Sequence, residues 1–368
     1  MSTTIAPPFA PARTERALLA GSEAMARAAV AAGCRFFAGY PMTPFTELLE
    51  HMAALLPTVG GVCVNAESEL EAVGMAWGAA TTGHLAATGS TGQGLSLMQE
   101  SLSEITNARL PLVVFNMARG QGDYFQATRG GGHGDYRHIV LAPMDGPEAV
   151  ALTGLAFELA GRWRTPVMLL GDYYLAHTYQ AVSVPALDEP APEVPDWALD
   201  GSSGGTGAAK IISPLGGGIE GEEGFDLGAH YAACAAHVRA MADGVAPLVD
   251  TGHCHDAELV VAAYGSVGKF VRYACLRLRD AGHRVGYVRP ITLWPFPTEA
   301  VQAAVGGSAK VAVYEQNMGQ MVDDVRLATS GTVPVEFIGG PSWDHSGFGI
   351  GPDINVPAIT ERIREAMP

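Results

Sequence analysis

Three carboxylates, Glu67, Glu69 and Glu71, open a stretch that otherwise reads as an apolar helix rich in small residues, Ala66 to Ala80. At about 100° per residue, Glu67 and Glu71 share one face and Glu69 falls roughly opposite, with Ala72, Val73, Ala76 and Ala80. Those four are small and apolar, so their face suits a buried contact. A carboxylate there is costly unless it is protonated or held by a specific hydrogen-bond partner, and such a group suits proton transfer. For Glu67 and Glu71 the plainer reading holds: acids gather in a first helical turn because the helix dipole favours them.

Other segments compete for a functional role. Tyr40-Pro41-Met42-Thr43-Pro44-Phe45-Thr46-Glu47 lies between a strand and a helix, and two prolines would hold the Thr43 hydroxyl rigidly at a strand end. The same letters also read as a simple turn capped by Thr46. Gly89-Ser90-Thr91-Gly92-Gln93-Gly94 is a glycine-rich strand-to-helix loop without the spacing of a P-loop or a dinucleotide fold. It serves either as a backbone cradle or as a site of close packing. Arg119 ends an apolar strand, where a planar guanidinium can grip a substrate carboxylate or pair with one of the glutamates. Gly265-Ser266-Val267-Gly268-Lys269 only resembles a P-loop. His133, Asp135 and His138, and separately His253-Cys254-His255-Asp256, carry metal-ligand types, but nothing in their spacing fixes a coordination geometry. No metal ligand is assigned on this chain.

The elements that must position these groups alternate helix and strand. Gly21–Val30, with Ser22 as a candidate cap, Glu47–Leu56, the carboxylate helix, the helix after Gly94 and Pro147–Trp163 read as helices. Cys34–Tyr40, Val62–Val64, His84–Thr88, Pro111–Met117 and Thr165–Gly171 read as strands. The apolar runs are near-continuous, as in buried parallel strands. This is a doubly wound parallel α/β domain, whose ligands belong at the carboxyl ends of the strands. The division expected is a tail at 1–14, this domain at 15–180, a Pro-, Gly- and acid-rich linker with a small lobe at 181–256, and a second α/β unit at 257–368. In 368 residues carrying a net charge of −16 there is no basic run, which argues against nucleic acid. No apolar run is long enough to span a bilayer. Five scattered cysteines, none spaced C-x-x-C, exclude a cluster or zinc-ribbon pattern on this chain and fit a reducing, cytoplasmic setting.

Longer runs are more specific than any one motif. Gly21-Ser22-Glu23-Ala24-Met25-Ala26, Gly39-Tyr40-Pro41-Met42-Thr43-Pro44, Ala66-Glu67-Ser68-Glu69 and the run from Asp123 to Tyr136 are four of them. Asp196-Trp197-Ala198-Leu199, Arg289 to Pro297 and Glu315 to Arg326 are the others. Together they resemble the α subunit of 2-oxoacid:ferredoxin oxidoreductases, in the 2-oxoisovalerate and 2-oxoglutarate branch. The resemblance implies a pyrimidine-type thiamine-diphosphate domain followed by a smaller transketolase C-terminal-like domain. It implies oxidative decarboxylation of a 2-oxoacid to an acyl-coenzyme A, with electrons passed to ferredoxin. A β subunit would hold the diphosphate, Mg²⁺ and iron–sulfur cluster, in an (αβ)2 or larger assembly. By this resemblance Glu69 faces the aminopyrimidine, Arg119 holds the oxoacid carboxylate and Thr43 assists it. Tyr40, Pro41 and Gly92 line the cofactor, and Phe45 borders the substrate.

One departure stands out. The branch carries about a dozen more residues between this arginine and the Asp-Tyr-Phe-Gln run, whereas here only Gly120-Gln121-Gly122 separate Arg119 from Asp123. The pocket beside Arg119 is therefore expected to be reshaped, and Phe45, where small residues are common, adds to that. Two rival readings remain: a two-chain non-redox thiamine-diphosphate decarboxylase or ligase, and a non-catalytic assembly subunit. Retention of Glu69 and Arg119 speaks against the second.

Overall fold

The structure is a computed structural model that describes residues 13–187, 193–199, 212–215, 226–342 and 353–368. Residues 1–12, 188–192, 200–211, 216–225 and 343–352 lie outside it, which takes in most of the expected 1–14 tail and much of the expected linker.

The chain opens with β1 (Thr14–Ala20), α1 (Gly21–Ala31), β2 (Phe36–Gly39), α2 (Thr46–Leu55), β3 (Val62–Asn65), α3 (Glu69–Thr81), β4 (Ala86–Ser90) and α4 (Gly92–Asn107). It continues through β5 (Leu112–Ala118), α5 (Tyr124–Thr128), β6 (Ile139–Leu141), α6 (Gly146–Trp163), β7 (Pro166–Asp172), α7 (Tyr173–His177) and β8 (Tyr179–Pro185). Then come α8 (Leu227–Gly244), β9 (Val249–Gly252), β10 (Leu259–Ala262), α9 (Gly265–Asp280), β11 (Val285–Pro290) and β12 (Thr292–Trp294). The last elements are α10 (Thr298–Val305), β13 (Lys310–Val313), α11 (Met321–Thr329), β14 (Val335–Phe337) and α12 (Val356–Glu365).

A seven-stranded sheet runs β12-β6-β7-β5-β4-β2-β3, parallel except at β12. Every residue of β4, β5 and β7 is buried, because helices cover both faces of a parallel sheet. From β2 the chain goes to β3 on one side, then back to β4 on the other. That reversal leaves a crevice beyond the carboxyl ends of β2 and β4, where α/β folds bind ligands. A five-stranded sheet, β14-β13-β10-β11-β9, forms the second unit.

Several expectations needed correction. Glu67 stands ahead of α3 and is not helical, because Ser68 takes the N-cap and accepts from the Glu71 amide at 3.4 Å. Ser22 caps nothing: α1 starts one residue earlier, at Gly21, and buries Ser22. Thr46 does not cap α2 through its side chain. The boundary between units is also less clean than composition implied. β9 joins the second sheet although it precedes residue 257, and β12 crosses back to pair with β6. Three-residue strands such as β6 and β12 are too short to show a period. The antiparallel pair β1–β8 was equally invisible, since its partners lie far apart in sequence.

Candidate active site

Glu69 is the first residue of α3. Its side chain turns inward on the face shared with Ala72, Val73, Ala76 and Ala80 and is 3% exposed. β4 ends at Ser90, whose hydroxyl donates to Glu69 Oε1 at 2.9 Å. That is the hydrogen bond found at this carboxyl among the described residues, so it retains capacity for a further donor. Glycine is required at position 94. A Cβ there would lie 2.0 Å from Ser90 Oγ and 2.4 Å from Glu69 Oε1. The glycine-rich loop is thus explained by close approach of α4 to the buried carboxyl. Gly92, half-buried, faces elsewhere: its Cβ would meet Asp123 Oδ1 at 2.8 Å.

Beside β4 lie β2 and β5. After β2 the chain passes Tyr40 and Pro41 and makes a cis peptide at Thr43-Pro44. Arg119 follows β5, and its Nε donates to the Thr43 carbonyl at 3.0 Å, tying the two strand ends together. The fork of the guanidinium, Nη1 and Nη2, has no hydrogen-bond partner among the described residues, which leaves its bidentate edge free for an anion. Asp123 Oδ2 accepts from Asn116 Nδ2 at 2.9 Å. Burial raises the Asp123 carboxyl above the usual range, while the Asn116 bond and the Arg119 charge pull it back. Glu69 with Ser90 and Thr43 with Arg119 therefore form two bonded pairs at the carboxyl ends of the four adjacent strands β5, β4, β2 and β3.

Phe45 is not among them. Its ring is fully buried, stacks on Phe37 with centroids 6.0 Å apart, and fills the space over Gly39 and Gly89. A Cβ at Gly89 would lie 2.5 Å from that ring, and one at Gly39 2.9 Å. The residue expected at the substrate is a core plug beneath the crevice floor.

The remaining candidates resolve into structural roles. Lys269 of the P-loop lookalike pairs with Asp145 at 3.2 Å across the junction of the two units. His133 is exposed, 3.4 Å from Glu104, whereas His138 is buried and pushed down to about 4 by that burial. The Cys254 thiol donates to the Tyr287 carbonyl at 3.2 Å. Among the described residues no group of three or more His, Cys, Asp or Glu is arranged to hold a metal. Sequence reasoning missed Ser90 and Asn116 as partners, because a lone hydroxyl or amide carries no spacing signal. Asp123 was visible only as the start of a longer run, and Gln121 only as part of the short Gly120-Gln121-Gly122 connection.

Does this set of residues fit an aminopyrimidine cofactor? A buried carboxyl with one donor, in a space kept open by Gly94, can share a proton with a ring nitrogen, so the chemistry fits. A doubly wound parallel domain followed by a smaller α/β unit is the arrangement of a transketolase-like fold. A solved split-gene transketolase has this fold at TM-score 0.57 and 14% identity, covering 95% of this chain and 98% of that one.

The comparisons carry this to a family. Residues 27–200 match the family described as pyruvate flavodoxin/ferredoxin oxidoreductase, thiamine diphosphate-binding. Residues 257–344 match pyruvate:ferredoxin oxidoreductase core domain II. The 2-oxoglutarate synthase subunit KorA of Methanothermobacter thermautotrophicus is 35% identical over 88% of this chain and 94% of its own length. Ketoisovalerate oxidoreductase subunit VorB of the same organism is 37% identical over 87% and 92%. The 2-oxoglutarate:ferredoxin oxidoreductase of Magnetococcus marinus, solved with 2-oxoglutarate, coenzyme A and succinyl-CoA, superposes at TM-score 0.80. It is 28% identical, and the match covers 98% of this chain and 68% of that one. The chain belongs to the 2-oxoacid:ferredoxin oxidoreductase family: it is a subunit of a thiamine-diphosphate-dependent oxidoreductase acting on 2-oxoacids. These relatives do not favour the non-redox alternative. Among the described residues no helix is long and apolar enough to cross a membrane.

Proposed function

We propose that this chain is the α subunit, supplying the pyrimidine side of a site completed by a β subunit that holds the diphosphate and Mg²⁺. Glu69 carries the reading, being a nearly buried carboxyl at the mouth of the crevice with Ser90 as its fixed partner. Thiamine diphosphate, when bound, supplies the carbanion chemistry that makes decarboxylation of a 2-oxoacid accessible. Glu69 holds and moves a proton at a pyrimidine ring nitrogen. Ser90 fixes which carboxyl oxygen does so. Arg119 receives the oxoacid carboxylate on its free fork, with Thr43 beside it and Tyr40 and Pro41 bordering the cofactor. Leu70, Met75 and Leu97 are exposed apolar residues of α3 and α4, and a β subunit covering them would exclude water from the site. Electrons pass through a cluster on the partner to ferredoxin, and coenzyme A takes the acyl group. The oxoacid is drawn from the class that includes 2-oxoglutarate and branched 2-oxoacids.

Co-expression with the partner chain tests the reading. Thiamine-diphosphate-dependent CO2 release from a 2-oxoacid should appear in the complex and in neither chain alone. Activity from this chain by itself would refute the shared site.

A further inference from the structure

In the short connection after Arg119, Gln121 is held from outside its own domain. Gln121 is 5% exposed. Its Oε1 accepts from the Gln316 amide at 2.7 Å, and its Nε2 donates to the Tyr264 carbonyl at 3.3 Å. Its backbone carbonyl accepts from Asn317 Nδ2 at 2.9 Å and from the Tyr264 hydroxyl at 3.3 Å. Gln320 continues the pattern, donating to the Gly122 carbonyl at 2.9 Å and accepting from the Phe125 amide at 2.8 Å. Asp324 accepts from the Tyr124 hydroxyl at 2.7 Å and pairs with Arg129 at 3.1 Å. All these partners belong to the second unit.

Glu315 explains how the second unit keeps its side of this seam rigid. It is fully buried and, among the described residues, has no cationic partner. It accepts instead from the amides of Met321 at 2.8 Å and Val322 at 2.9 Å, at the N-terminus of α11. It also accepts from Asn317 Nδ2 at 2.9 Å. One hydrogen of that amide group goes to Glu315 and the other to Gln121. Arg119, by contrast, makes one hydrogen bond among the described residues, to the Thr43 carbonyl. Its connection to α5 contains Gly120 and Gly122, whose backbones have little stiffness of their own.

We propose that Gln121, Asn317 and Glu315 are positioning residues that fix Arg119 for the oxoacid carboxylate, so that the second unit sets substrate affinity. This rests on the reading of Arg119 given above. Asp123 anchors the far end of the connection to Asn116 of β5, and the seam holds Gln121, the part nearer Arg119.

The test uses the assembled complex and measures KM for the oxoacid, kcat and thiamine-diphosphate affinity. Asn317→Asp keeps size but puts an oxygen against Glu315 and removes the donor to Gln121. KM should rise about tenfold, with kcat and cofactor affinity within about twofold of wild type. Gln320→Ala, at a half-exposed position that does not threaten folding, should raise KM about threefold. Gln302→Ala, which loses a bond to the Ala328 carbonyl within the second unit, should leave KM unchanged. Arg119→Lys is the reference. If it raises KM while Gln320→Ala and any folded Asn317→Asp do not, the positioning role is refuted and the seam is structural. If Arg119→Lys leaves KM unchanged, the reading of Arg119 fails and the inference falls with it.

Discussion

Gly94→Ala makes the sharpest demand on the geometry around Glu69. The added Cβ would sit 2.0 Å from Ser90 Oγ and 2.4 Å from Glu69 Oε1, against about 3.4 Å for ordinary contact. Something must move by about 1.4 Å, and the 2.9 Å bond between Ser90 and Glu69 is what lies in the way. Overpacking of this kind costs about 1–3 kcal/mol, which a chain of this size survives folded. Misplacing a proton-transfer group by about 1 Å costs on the order of 10²-fold in rate. The expected result is therefore a folded, assembled complex whose kcat falls about 10²-fold, with weakened thiamine-diphosphate affinity. Gly161→Ala is the control. It sits in α6 with nothing within 4 Å of its Cβ, and should be neutral in activity and stabilising by about 0.5–1 kcal/mol. Steady-state CO2 release, cofactor titration and thermal melts on both variants decide the matter. Wild-type kcat and cofactor affinity in Gly94→Ala would refute the claim that Glu69 and Ser90 form a working pair in a space this glycine keeps open.

Other outcomes follow from the same coordinates. Ser90→Ala removes the donor to Glu69 and should lower kcat by roughly tenfold, less than loss of the carboxylate itself, with a melting-temperature change consistent with about 1 kcal/mol. Phe45→Ala empties a fully buried site and should cost about 3–5 kcal/mol in denaturant titration, while the ratio of kcat/KM between two oxoacids stays unchanged. His138 is held neutral by burial, from 6.5 down to about 4. A depressed His pKa stabilises the fold above pH 6.5 and loses that contribution as pH falls toward 4, about 3 kcal/mol in all. Melts from pH 7 to pH 4 should show this slope in wild type and a shallower one in His138→Leu.

The framework was legible because its signals are local. Near-continuous apolar runs marked β5 and β7, and the small-residue face of α3 singled out Glu69 from its two neighbours. Partners brought together from distant sequence were not legible. Ser90 meets Glu69 across 21 residues, and Gln121 meets Gln316 across 195. Neither serine nor glutamine carries a pattern that announces such a meeting. Phe45 shows the opposite failure: the family resemblance placed it near the substrate, but glycines at 39 and 89 leave a gap that its ring fills.

Thiamine-diphosphate binding and 2-oxoacid-dependent CO2 release by the co-assembled complex, wild type against Glu69→Gln, test the central claim most directly. Glutamine preserves size and can still accept from Ser90, so the complex should assemble and melt like wild type. Its turnover should fall by about 10²–10⁴-fold, because the proton-carrying group is gone. Full turnover in Glu69→Gln would contradict the account, since a buried carboxyl that does no proton work would have no reason to stand on an apolar helix face at the mouth of this crevice.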